Sequence, residues 1–166
     1  MMGFLRMGTT GFAAQAAGRD DGTALRQILV QGLLLSVLLS MLLGAIAVPF
    51  SGLALSVMQP SAELHALTLD FFHTRLFGLP AALASYALVG WFLGTQNARA
   101  PLAILLTTNL VNIALKLWSV LGLDWGVVAS ARASVIAGWS GALLGLWLTR
   151  GALGKFPGTV MWAALR

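Results

Sequence analysis

The chain has 166 residues, of which 58% are hydrophobic and only 9% charged, with a mean hydropathy of +0.88. A soluble domain carries about 25% charged residues, and these apolar stretches do not alternate as barrel strands do, so the fold class is all-α and polytopic in a membrane. The net charge of +5 comes from scattered Lys and Arg, which reads as membrane-surface charge with no nucleic-acid site, and the zero cysteine count excludes disulfides, thiolate metal sites and cysteine nucleophiles.

The first segment, Gly3 to Gly18, is GFLRMGTTGFAAQAAG. At 1.5 Å per residue it reaches about 24 Å, short of a hydrocarbon core of about 30 Å. It reads as a partial helix, the tail of a span. A signal peptide is the competing reading, with Arg6 as n-region and AAQAA as cleavage site, but no continuous apolar h-region separates the two. Four full spans follow. One runs from Ile28 to Phe50 and on to Met58 if Pro49 only kinks it. The next covers Leu69 to Gly94, starting with the polar Asp70, His73 and Arg75 and bending at Gly78 and Pro80. The third is Pro101 to Gly122, with proline suited to the first helical turn. The fourth runs from Trp125 to Thr149. Residues 151–166, with Lys155, Trp162 and Arg166, suit a surface-lying tail or linker.

Loop charges orient the spans. Arg19 and Arg26 precede the first, Arg99 joins the second to the third, and Arg150 with Lys155 follows the fourth. The alternate connections carry Glu63 and Asp124 instead. The positive-inside rule therefore puts the C-terminus in the cytoplasm, in what the composition and the resemblance below make a bacterial inner (plasma) membrane protein. Trp125 belongs at the outer interface and Trp91 and Trp147 near the inner one, as an aromatic belt.

Nothing in the chain resembles an enzyme: there is no phosphate loop, nucleophile elbow or metal-ligand spacing. His65 and His73 stand eight apart with no carboxylate at ligand spacing, a pattern better explained by surface residues than by a metal site. No cofactor is implied. Lys116 is the outstanding residue, a charge inside an otherwise apolar span. Such a charge costs roughly 2.5–3.5 kcal/mol at the bilayer centre on insertion scales and ordinarily faces a cavity or a partner. Thr108, Asn112 and Lys116 fall at i, i+4 and i+8, on one helix face. Interhelical hydrogen bonding accounts for Thr108 and Asn112 equally well, and snorkelling towards Gly122 competes for Lys116. Arg75 and Arg132 lie near the outer ends of their spans, where water, Asp70 or Asp124 satisfies them. In the fourth span Ser130, Ser134, Gly138, Gly141 and Gly145 form a small-residue ridge suited to close packing. Ser134 is a cavity residue only if it faces Asn112.

The stretches FLRMGTTGFAAQAAG, RLFGLPAALASYALVGWFLGTQNARAPL, NLVNIALKLWSVLGLDWGV and ARASVIAGWSGALLGL, in that order from Phe4 to Leu146, resemble the DinF-like branch of the MATE multidrug exporters. The resemblance implies a partial six-helix amino-terminal lobe over residues 1–150, from the end of helix two through helix six, followed by the 151–166 tail. It also implies export of cationic or amphipathic compounds against an H⁺ or Na⁺ gradient. The family's cation site then maps onto Asn112, Lys116 in place of a carboxylate, the hydroxyl of Ser134, and Ser85 near the place of a helix-four Asn. With Thr108 these form the expected cation or substrate cavity. Gly138 stands where related members carry Glu, and the coupling Asp of helix one has no counterpart. A carboxylate binds and releases H⁺ or Na⁺, whereas Lys supplies a fixed positive charge. The expectation is thus part of a multidrug/cation antiporter, inactive alone, needing a second lobe or a homo-oligomer because alternating access requires two lobes. The alternative is a non-transporting truncated or degenerate membrane fragment that associates with other helices. A channel-like oligomer built on the Asn112–Lys116 face is a third reading.

Overall fold

The computed structural model describes residues 3–122 and 126–156. Six helices account for nearly all of these residues: α1 (Gly3–Gly18), α2 (Gly22–Met58), α3 (Ala62–Leu76), α4 (Leu79–Gly94), α5 (Arg99–Gly122) and α6 (Gly126–Leu153). No strand is present among the described residues. Among the described residues four stretches are long and apolar enough to cross a membrane: α2; α3 and α4 taken together; Arg99–Ser119 of α5; and Val128–Leu153 of α6.

Each boundary has a local cause. Asp21 caps α2, its carboxylate accepting from the Ala24 amide at 2.9 Å, while Asp20 turns the chain with a φ of 54°. The first span thus starts before Ile28, and Pro49 is carried inside an unbroken 37-residue helix that ends in the left-handed Gln59. Ser61 caps α3. The second span begins before Leu69 and consists of two helices interrupted at Phe77 and Gly78, since Pro80 at the start of α4 brings no N–H for the preceding turn. Asn97 accepts from the Ala100 amide at the head of α5. The fourth span runs past Thr149 to Leu153.

The ends of α1, α4 and α6 and the starts of α2 and α5 gather at one side, here called the base. There the Arg26 guanidinium donates to the Leu153 carbonyl at 3.1 Å, tying α2 to α6. The main core lies at this base, among Ala13, Ala16, Leu25, Leu29, Leu88 and Phe92, with Trp91 at its centre. Trp91 is wholly buried and its indole N–H donates to the Leu25 carbonyl at 2.9 Å. This corrects its expected place in an aromatic belt: it is a core residue joining α4 to α2, because α1 and α2 cover that face of α4. Trp147 is exposed, as a belt residue is. Trp125 and Asp124, and residues 157–166 including Trp162, lie outside the described residues.

Helix α4 is the hub, packed by α1, α2, α5 and α6. Glycine makes the closest approach possible. A Cβ at Gly94 would lie 2.6 Å from the Ala13 Cβ and 2.7 Å from the Thr10 carbonyl, and one at Gly90 would meet the Arg6 carbonyl. On α6, Gly145 faces Ile104 and Leu88, and Gly141 lies against the Thr108 side chain. These small residues let backbones touch, the usual basis of helix association in lipid. Two of the glycines in the ridge are therefore packing residues, whereas a Cβ at the third, Gly138, would meet only the Ala81 Cβ, at 4.0 Å.

A candidate substrate groove between α4, α5 and α6

Helix α5 pairs along its length with α6, while α3 crosses the far half of α6. This arrangement turns Asn112 to Ser134. The Ser134 hydroxyl donates back to the Ser130 carbonyl at 3.0 Å, which leaves its oxygen free to accept from Asn112 Nδ2 at 3.1 Å. Two cavities open along this seam and meet at Ala82 and Gly138, which line both. The far one, of about 400 Å³, is lined by Asn112 and Ser134 with Asn109 and Arg75. The other, of about 610 Å³, lies nearer the base and is lined by Ser85 and Thr108 with Arg6 and an apolar wall including Tyr86 and Leu105.

Four of the five expected residues thus fall in one groove, two in each cavity. Thr108 enters by its edge only: its hydroxyl donates to the Ile104 carbonyl at 2.9 Å and the side chain is wedged against Gly141. Lys116 is half-buried and lines neither cavity, although it follows Asn112 by one turn. Gly138 occupies the junction, where a side chain would project into both cavities.

The sequence reading places neither groove-lining arginine in the expected site. Arg75 is exposed on α3, roughly 28 Å before the end of α4 at Gly94, counting 1.5 Å per residue. Arg6 lies roughly 18 Å from the end of α1 at Gly18. Neither guanidinium has a hydrogen-bonding or ion-pairing partner among the described residues. Among the described residues no Asp or Glu lines either cavity, and no group of His, Cys, Asp and Glu could hold a metal ion. The one usable signal was an arginine within reach of a break at Gly78–Pro80.

The larger hollow at the base, about 690 Å³ between the α4–α5 turn and the end of α6, is lined by none of the expected site residues. The groove is the place where they converge.

The MatE family model matches residues 1–118. DNA damage-inducible protein F of Escherichia coli (strain K12) is 41% identical over 147 residues, covering 89% of this chain and 32% of that protein. The chain therefore spans about a third of the relative's length. No solved structure matches it significantly. With the family model covering well over half of a chain built from membrane-spanning helices, the chain belongs to the MatE family.

Proposed function

We propose that the chain forms part of an efflux transporter, a MATE-type multidrug/cation antiporter that exports cationic or amphipathic compounds in exchange for H⁺ or Na⁺. The observation that carries this reading is the Asn112–Ser134 hydrogen bond, which opens onto two confluent cavities within a bundle of membrane-spanning helices. Polar groups facing a cavity at the middle of a bilayer are the usual mark of a transport path. The remaining lining is apolar enough for the body of an amphipathic compound.

Among the described residues the groove offers the coupling ion no carboxylate, and Lys116 stands one turn from Asn112 with a fixed positive charge. The chain is accordingly inactive by itself, the second lobe or another copy completing the path. It works in a bacterial inner membrane with its C-terminus in the cytoplasm, the side to which the basic ends at Arg19, Arg26, Arg99 and Arg150 gather.

Ethidium efflux from cells lacking their own exporters tests the reading. Expressed alone, the chain should give empty-vector rates although it is inserted. Joined to the second lobe of a relative, it should export, and Lys116→Asp should raise the rate by about tenfold, the effect of restoring a group that adds about 1.4 kcal/mol of driving interaction. No export from any joined form, with the protein present in the membrane, would leave the non-transporting fragment as the account.

A further inference from the structure

The hollow at the base, about 690 Å³, belongs to no part of the groove and is basic. Arg99, the first residue of α5, and Lys155, two residues past the end of α6, both line it. Both are exposed, and neither side chain has a hydrogen-bonding or ion-pairing partner among the described residues. No Asp or Glu among those residues lines the hollow. Asp20 and Asp21 share the base but stand in the turn before α2, where the Asp21 carboxylate is spent on the Ala24 amide. Glu63 and Asp70 belong to α3, at the opposite end, and Asp124 and Arg166 lie outside the described residues.

The turn between α4 and α5 fixes one rim of this hollow. The Asn97 amide donates to the Phe92 carbonyl at 2.8 Å, and the Thr95 hydroxyl donates to the same carbonyl at 3.0 Å. The Asn97 side-chain oxygen accepts from the Ala100 amide at 3.3 Å, which leaves both hydrogens of its Nδ2 unspent. Arg99 adds five donors and Lys155 three, so donors and positive charge are both in surplus here. Helix length sets the depth. At 1.5 Å per residue the 24 residues of α5 reach about 36 Å and the 28 of α6 about 42 Å, both longer than a hydrocarbon core of about 30 Å. Arg99 and Lys155 therefore stand at the level of lipid head groups. The apolar lining reaches deeper: Ala103 lies roughly 6 Å inside the start of α5, and Leu148 roughly 8 Å inside the end of α6.

We propose that this hollow binds one anionic phospholipid of the leaflet at the base, its phosphodiester held by Arg99, Lys155 and the Asn97 amide and its apolar part seated against Ala103 and Leu148. Basic pockets between membrane helices at head-group depth are suited to such lipids. The planar guanidinium fork matches two phosphate oxygens, and the lysine adds a mobile point charge. A free anion would satisfy the two cations and leave the apolar lining unfilled, whereas a phospholipid satisfies both at once. The inference is independent of the export reading, since it requires only that the base lie at a membrane surface.

The test is native mass spectrometry of the whole chain released from uncharged detergent micelles. The micelles contain equal amounts of phosphatidylglycerol and phosphatidylcholine with the same acyl chains, and the lipid retained by the protein is counted. A single phosphatidylglycerol should be held in preference to phosphatidylcholine. Arg99→Gln together with Lys155→Gln should lower that preference by about tenfold or more, the loss of two charges near the membrane surface. Arg19→Gln together with Arg150→Gln removes the same charge from the same end without touching the hollow, and should leave the preference unchanged. Helix content by circular dichroism identifies a variant that has merely unfolded. Arg99→Lys, which keeps the charge and loses the fork, then carries the comparison and should lower the preference by a smaller factor. Equal retention of the two lipids by the unaltered chain would overturn the proposal. Equal losses in the two double variants would overturn it as well, because the net charge of the base and no particular hollow would then attract the lipid. Release of the phosphatidylglycerol by excess inorganic phosphate would also overturn it, in favour of a site for free anions.

Discussion

At the level of single residues, the face formed by Thr108, Asn112 and Lys116 divides into three separate roles. Asn112 crosses to Ser134, Thr108 packs against Gly141, and Lys116 lines neither groove cavity. The Thr108–Gly141 contact gives a test with a sign. In an exposed helix Gly→Ala gains about 1 kcal/mol from backbone entropy, but at position 141 the added methyl runs into the Thr108 hydroxyl. Gly141→Ala should therefore lower the unfolding free energy of the detergent-solubilised chain by about 1–3 kcal/mol. In the Thr108→Ala background the obstructing oxygen is gone, leaving contacts of 3.3 Å to the residue 108 Cβ and 3.4 Å to the Ile104 carbonyl. The second substitution should then cost almost nothing, and equal costs in both backgrounds would show that the helices do not meet there. Helical periodicity makes a shared face legible in a sequence, as it did for Asn112. It does not say which neighbour each residue meets, because i and i+8 are about 12 Å apart along the axis and face different parts of α6. The position of Arg75 along its span depends on where α3 begins, and the polar residues before Leu69 hide that start.

At the level of elements, the apolar runs marked all four spans, and the ends moved by the length of a polar turn. Asp21 and Ser61 are ordinary N-caps whose carboxylate and hydroxyl accept from Ala24 and Leu64, and they set the starts of α2 and α3 ahead of the hydrophobic run. Helix pairing was less legible. Trp91 has the residue type and position of an interfacial anchor, yet α1 and α2 bury it completely. Trp91→Phe keeps most of the ring volume and removes only the indole donor to Leu25, so it should cost about 1–3 kcal/mol. Trp91→Ala should cost about 3–5 kcal/mol, since a cavity opens where α1, α2 and α4 meet. The exposed Trp147 supplies the contrast: Trp147→Ala should stay within about 0.5 kcal/mol. Thermal or denaturant unfolding in one detergent would separate them, and a Trp147 effect as large as that of Trp91 would mean that belt position, not burial, stabilises the bundle. The same joint matters for the groove, because α4 carries Ser85 and Ala82 on the face opposite α1 and α2.

The whole molecule has a direction in the membrane, because its two ends differ in charge. The base carries Arg19, Arg26, Arg99, Arg150 and Lys155; the opposite end carries Glu63, Asp70, Arg75 and the two histidines of α3, with Arg132 near the start of α6. Lys and Arg near span ends set orientation and Asp and Glu contribute little, so Asp20 and Asp21 do not cancel the bias at the base. The base should therefore face the cytoplasm and the Ala62 end the outside. The chain has no cysteine, so one introduced thiol reports one position without further changes. Ala62→Cys, at the exposed start of α3, and Ala98→Cys, in the exposed turn before α5, alter no charge and remove no hydrogen-bonding side chain. In intact spheroplasts a membrane-impermeant maleimide should label Ala62→Cys and leave Ala98→Cys untouched until the cells are permeabilised. The reverse pattern would invert the molecule, and equal partial labelling of both would mean that it inserts both ways.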